Sequence, residues 1–275
     1  MKNNSTPPAV IVSANNLLAQ AKLEKCSLCG DRSFLLSQDA KGRPLARECS
    51  CREARKKVVL FNNAKIPSRY HDATLDNFYD INLPKIKLAL TKAKEVIKLY
   101  QTNYKKRIPD LGKGLLLYGS PGTGKTKLAC AILRTITLDY GIPARFIEFV
   151  QLLNQIKRGY DTGEPESNFL LPLVEVNVLL IDELGKGRKS EWEGSILDQI
   201  VSRRYAAQKT TIFTANYAVT KKTINAADKG DAPSLLAERI DTRIFSRLSQ
   251  MCHFIDMDMQ DYRKNMPEMV EMKKN

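Results

Sequence analysis

Gly119-Ser120-Pro121-Gly122-Thr123-Gly124-Lys125-Thr126 has the spacing G-x-x-x-x-G-K-[ST] throughout. Glycines at such positions let the backbone curl so that its N–H groups point at phosphate oxygens, and a helix starting there adds positive potential. Gly119, Pro121, Gly122, Thr123, Gly124, Lys125 and Thr126 form the expected nucleotide-binding set. Lys125 would reach the β and γ phosphates of ATP, and the Thr126 hydroxyl would ligate Mg²⁺. Further on, Val178-Leu179-Leu180-Ile181-Asp182-Glu183 is a continuous apolar run ending in acid. That pattern reads as a buried central strand whose carboxylates emerge at its C-terminal end. There Asp182 would hold Mg²⁺, directly or through water, and Glu183 would polarise the attacking water as general base. A protein that only grips a nucleotide needs no second acid, so hydrolysis is the expected chemistry.

A second constellation is Cys26-x-x-Cys29 followed by Cys49-x-Cys51. Two closely spaced pairs bring four thiolates around one ion, and four protein ligands leave no open position, so a structural zinc site is expected. The C-x-C spacing of the second pair is less common than C-x-x-C, and an iron–sulfur cluster, a redox pair or unrelated cysteines are the alternatives. About 40 residues bury little core, and the metal would supply folding energy. Cys130 and Cys252 are expected in the core.

Two further groups could serve the nucleotide. The strand Thr210-Thr211-Ile212-Phe213-Thr214-Ala215 ends at Asn216, whose amide would orient the lytic water if this strand neighbours the Asp182 strand; a turn-forming asparagine is the alternative. Arg239, Arg243 and Arg247 recur every fourth residue, which puts them on one face of an expected helix over 233–250. One of them would act as an arginine finger on a neighbouring subunit's nucleotide. Pairing with Glu238 or Asp241 is the alternative for any one. Arg263 would reach the nucleotide of its own subunit.

The elements that must position these groups alternate between apolar strands and helices over 113–263, which implies a Rossmann-like α/β domain with a five-stranded parallel sheet. Strands are expected at 114–118, 145–149, 177–182, 210–215 and 252–257, with helices at 124–139, 149–158, 190–207 and 233–250. Upstream, 1–60 would be the cysteine module, with a short helix around 15–25, and 61–112 a connector with a long helix over 84–107. The divisions expected are thus 1–60, 61–112, 113–265 for the ATPase domain, and a tail at 266–275. On the long helix Ile86, Leu90, Ala93, Ile97, Tyr100 and Tyr104 form an apolar stripe. Lys87, Lys94, Lys98 and Lys105 form another stripe, read as a solvated face or as a contact for DNA phosphates.

Charge sharpens the partner class. The 275 residues carry 44 Lys+Arg against 30 Asp+Glu, a formal net charge of +14. The excess is concentrated in residues 1–113, with 22 basic and 10 acidic side chains, whereas 114–275 hold 22 and 20. A basic segment of this kind fits a polyanion or an acidic protein surface. No apolar run reaches the length of a membrane span or a signal-peptide core, so a cytoplasmic protein with no membrane partner is expected.

The phosphate loop, the Leu180-Ile181-Asp182-Glu183 strand end, the strand ending in Asn216, Ser246-Arg247-Leu248 and the closing Asp261-Tyr262-Arg263 together resemble the AAA+ ATPases of bacterial replicative-helicase loaders, the DnaC/DnaI type. The resemblance covers about residues 60–265. With Ile66-Pro67-Ser68-Arg69-Tyr70 it narrows to this group and the related IstB-type transposition ATPases. It implies Asn216 as sensor 1, Arg247 as the arginine finger and Arg263 as a sensor-2-like arginine. The 12 residues after Arg263 are too few for the helical lid of most AAA+ proteins, and the loaders look lidless too. The resemblance implies an ATP-dependent loader of the replicative DNA helicase that self-associates through its AAA+ domain and touches single-stranded DNA. An ATPase regulating DNA transposition, or a DNA-binding adaptor switched by nucleotide, shares the same motifs. Lys186-Gly187-Arg188-Lys189 and residues 221–231 look like local elaborations without an assigned role.

Overall fold

The structure, a computed structural model, describes residues 8–78, 83–103, 113–220 and 235–262. Arg263, Tyr104, Lys105, residues 221–231 and the 266–275 tail lie outside the described residues. Five parallel strands form one sheet in the order β6-β7-β8-β5-β9: β5 (Gly114–Tyr118), β6 (Ala144–Glu148), β7 (Val178–Asp182), β8 (Thr211–Ala215) and β9 (Cys252–Asp256). Each expected strand is present within a residue or two. Their apolar runs are continuous because both faces are covered. Leu115 and Leu117 face one core while Leu116 faces the other, and Val178 and Leu180 oppose Leu179 and Ile181 in the same way.

The first face is covered by α2 (Pro84–Asn103) and α3 (Lys125–Leu138), with α1 (Cys51–Asn63) packed on α3. The other carries α4 (Phe149–Asp161), α5 (Ser167–Glu175), α6 (Glu191–Ala206), α7 (Leu236–Arg239) and α8 (Thr242–Met251). On α2 the apolar stripe is turned inward, with Ile86, Ala93, Ile97 and Tyr100 buried and Leu90 half-buried, while Lys87, Lys94 and Lys98 are exposed.

Three expectations need correction. Residues 15–25 are not helical: β1 (Val10–Asn15) and β2 (Leu18–Leu23) form an antiparallel hairpin. Asn16 turns it with φ +48, a conformation asparagine tolerates, and Ala19 and Ala21 alternate inward along β2. The second correction concerns α5, absent from the sequence reading because Pro172 falls inside it. Thirdly, the expected helix over 233–250 is broken. Ile240 and Asp241 are extended, and Asp241 caps α8 by accepting the Arg243 N–H at 2.7 Å. Arg239 therefore ends α7 and does not share a helix face with Arg243 and Arg247.

The cysteine segment is joined tightly to this body. A second hairpin, β3 (Phe34–Gln38) and β4 (Pro44–Glu48), precedes α1. The β1–β2 hairpin docks on α1 through Asn62, whose side chain accepts the Ala21 N–H at 2.7 Å and donates to the Ala21 carbonyl at 3.1 Å. Just past α1, the Ala64 carbonyl accepts the Phe146 N–H at 2.7 Å, so the chain lies along the β6 edge of the sheet. The division expected at residue 60 falls inside α1. Among the described residues no helix is long and apolar enough to cross a membrane.

Candidate active site and metal centre

Strand β5 delivers the chain to the phosphate loop, and α3 starts at its end. Gly124 caps α3 with φ +90, and Gly122 has φ +81. A Cβ at Gly122 would lie 1.8 Å from a carboxylate oxygen of Asp261, so a side chain there would displace the Asp261 carboxylate as well as strain a backbone at positive φ. Lys125 Nζ donates to the carbonyls of Gly119 at 2.8 Å and Ser120 at 2.6 Å. Those carbonyls hold the lysine beneath the loop, where it can exchange them for phosphate oxygens.

Parallel pairing sets β7 beside β8. That register brings Asp182, Glu183, Thr214 and Asn216 to the mouth of a cavity of about 440 Å³, together with Pro121, Gly122, Thr123, Gly124, Lys125 and Thr126. Gly119 begins the same loop. Asp182 Oδ1 accepts the Thr126 hydroxyl at 2.8 Å and the Thr214 hydroxyl at 2.5 Å. Burial pushes the Asp182 carboxyl above its usual range; the Thr214 and Thr126 hydroxyls pull it down and the neighbouring Glu183 charge pushes it up again. A buried carboxylate beside a threonine hydroxyl is a hard-oxygen donor set, which fits Mg²⁺. Glu183 sits at φ +58 just past β7, its N–H donating to Thr214 Oγ1 at 3.0 Å and its carboxylate paired with Lys186 at 2.5 Å.

The sequence reading missed several residues here. Thr214 lies inside β8 with no motif to mark it. Glu148 ends β6 opposite Asp182 in register, and burial and then the Glu183 charge push its carboxyl up. Arg69, Tyr70 and Phe78 form a wall of the cavity from the connector. The Phe78 ring lies 3.4 Å from where a Gly124 Cβ would stand, and Lys127 sits over the same ring. Only the pattern Ile66-Pro67-Ser68-Arg69-Tyr70 hinted at this wall.

The arginines have separate surroundings. Arg239 donates to the carbonyls of Gly185 at 3.1 Å and Gly187 at 2.7 Å, and stacks over Tyr217. Arg243 is exposed near Asp241 at 3.5 Å. Arg247 pairs with Asp198 of α6 at 2.7 Å, an acid on another helix and neither Glu238 nor Asp241.

Outside this cavity, Cys26, Cys29, Cys49 and Cys51 are all buried, with their sulfur atoms within 4.8 Å of one another. The Cys26–Cys49 and Cys29–Cys51 sulfurs are 3.7 and 3.4 Å apart. Zn–S bonds of about 2.3 Å in a tetrahedron set sulfurs about 3.8 Å apart, so the quartet fits zinc. Cys29 is opposed by burial, but hydrogen bonds from the Cys51 thiol and the Ser33 N–H bring it down to about 7, whereas burial and its thiol neighbours push Cys51 up to about 12. Cys130 and Cys252 are buried in the core of the sheet domain.

Residues 15–268 match the family model described as IstB-like ATP binding protein. The chain belongs to the IstB-like ATP-binding protein family. Within this family setting it is an AAA+ ATPase, and the resemblance to the DnaC/DnaI type holds. It is 27% identical over 192 residues to the replicative helicase loader DnaC of Escherichia coli (strain K12), covering 70% of each chain. A replicative helicase loader DnaC of Buchnera aphidicola subsp. Acyrthosiphon pisum (strain APS) is 28% identical over 218 residues, covering 78% of this chain and 80% of that protein. Among solved structures, a DnaC helicase loader aligns with a TM-score of 0.55 and 30% identity, covering 68% of this chain and 98% of that one. A DnaI structure aligns with a TM-score of 0.55 at 22% identity, covering 70% and 94%, which speaks for the fold.

Proposed function

We propose that this IstB-like ATPase loads the replicative DNA helicase in the initiation or restart of DNA replication. The observation that carries the reading is the convergence of Lys125, Thr126, Asp182, Glu183 and Asn216 on one cavity in a chain whose relatives at 27–30% identity are named helicase loaders. Those named relatives favour loading over the regulation of transposition.

In this account ATP is the substrate. Lys125 leaves the loop carbonyls to neutralise γ-phosphate charge. Thr126 and Asp182 hold Mg²⁺, which when bound supplies further positive charge to the phosphates. Glu183 takes a proton from water while the water oxygen bonds to the γ-phosphorus, and the bond to the bridging oxygen of ADP breaks. Asn216 orients that water. Arg247, exchanging Asp198 for a neighbouring copy's nucleotide, is the arginine finger, and Arg263 serves the nucleotide of its own subunit.

Cys26, Cys29, Cys49 and Cys51 hold a structural Zn²⁺ in the module that grips the helicase, while the AAA+ part self-associates and contacts single-stranded DNA in the cytoplasm. The division of labour follows residues 1–60, 61–112 and 113–265. Steady-state ATP hydrolysis tests the enzymatic core. Glu183→Gln is expected to lower kcat about a hundredfold or more. No turnover in the native protein would leave a nucleotide-switched adaptor, and unchanged turnover in that variant would remove Glu183 as the base.

A further inference from the structure

We propose that Lys186 is a positioning residue that holds Glu183 in an idle posture, so that ATP turnover stays slow until the lysine is drawn aside. The inference rests on the reading of Glu183 as the general base.

The two side chains meet because they share one tight turn. Lys186 Nζ lies 2.5 Å from Glu183 Oε2, and the Lys186 N–H donates to the Glu183 carbonyl at 3.1 Å. Leu184, between them, is anchored by its N–H to the Thr214 carbonyl at 2.7 Å. With Glu183 at φ +58, the turn folds the lysine back over the acid. A carboxylate oxygen engaged by an ammonium is directed at that ammonium and away from a water in the cavity while the bond lasts. Glu183 lines the nucleotide cavity, but Lys186 does not, nor does Glu148. The base is thus tethered from outside the site in which it works.

The tether is built for release. The Lys186 side chain is 55% exposed, and ion pairs of that exposure are weak. It borders a groove of about 650 Å³ that is also lined by the start of α8, including Arg243 and Ile244. Moving into that groove costs Lys186 no core packing. Its backbone is held from outside as well, since Arg239 binds the carbonyls of Gly185 and Gly187 on either side. Displacement of α7, or of the α8 start beside it, therefore shifts the lysine relative to Glu183. This gives a role to the Lys186-Gly187-Arg188-Lys189 elaboration.

The test is steady-state hydrolysis by the full chain with Mg²⁺ and saturating ATP, without DNA or helicase. Lys186→Ala is expected to raise kcat about three- to fivefold, the factor a weak exposed ion pair can withhold, with KM for ATP unchanged. Lys186→Arg keeps the pairing and is expected to stay at the native rate. Glu183→Gln and the double variant Lys186→Ala/Glu183→Gln are expected to be equally inactive. A Lys186→Ala kcat that stays level or falls, while Glu183→Gln is inactive, overturns the idle-posture proposal and leaves the base in place. A change confined to KM overturns it too, because the lysine would then serve nucleotide binding. Full turnover in Glu183→Gln removes the base reading and the proposal with it.

Discussion

Thr214 donates its hydroxyl to Oδ1 of Asp182 at 2.5 Å and accepts the N–H of Glu183 at 3.0 Å. One threonine in β8 thus fixes both acids at the end of β7. Thr214→Val keeps the shape and removes both bonds. Hydrogen bonds to charged groups contribute about 1.5–3 kcal/mol, so kcat/KM for ATP is expected to fall by about tenfold or more in steady-state kinetics, with circular dichroism unchanged. Native kcat/KM in that variant would mean that Asp182 and Glu183 are positioned without it.

Asp182 carries a folded-state cost. Burial first, and the Glu183 charge later, hold its carboxyl above the usual range, against the pull of the two hydroxyls. A carboxyl raised on folding favours the folded state fully below the ordinary value of about 3.9, and that contribution is lost as pH rises through the raised value. Asp182→Asn removes the buried anion. In Mg²⁺-free, nucleotide-free buffer its Tm is expected to exceed that of the native protein at neutral pH, with the gap closing in acid. An equal or lower Tm at neutral pH would contradict this.

Much of the site is legible because its residues are tied to local geometry. A phosphate loop needs its glycines and lysine at fixed offsets, and the strand ending in Asp182 announces itself by burial on both faces. The cysteine quartet is legible for the same reason. What escaped depends on packing across the chain. Thr214 matters only because β8 lies beside β7, and Glu148 only because β6 does. The Tyr70 and Phe78 wall needs the connector to fold over Gly124. Helical spacing also misled the reading at 233–250, where the Asp241 cap breaks the run and separates Arg239 from Arg247. The Asn16 turn was hidden by apolar residues that fit a helix or a strand equally well.

Arg204 of α6 is fully buried, and among the described residues it pairs with no acid. It donates to Thr211 Oγ1 and Thr210 O, and to the carbonyls of Leu173, Val174, Val176 and Asn177 at the end of α5 and the start of β7. Burial lowers its pKa to about 10. Arg204→Met would strand these carbonyls, each costing about 1–3 kcal/mol when buried and unpaired. Urea unfolding is expected to show a loss of at least about 3 kcal/mol. A shift within error would contradict the role assigned to this cage.

Cys51 both belongs to the sulfur quartet and opens α1, which packs on α3. Elemental analysis is expected to give about one zinc per chain, lost in Cys26→Ser. Hydrogen exchange in that variant should speed up in the β3–β4 hairpin and the first turn of α1, while β5, β7 and β8 stay protected. A native protein that is folded and metal-free would refute the zinc centre.

The central claim is that ATP turnover here places a helicase on DNA. The direct measurement is the amount of purified replicative helicase from the same cell that becomes stably bound to circular single-stranded DNA. The account predicts that full-length protein with ATP promotes loading, and that Lys125→Ala and Cys26→Ser do not. Loading that is equal with and without the protein, or a protein that fails to bind the helicase at all, would contradict it.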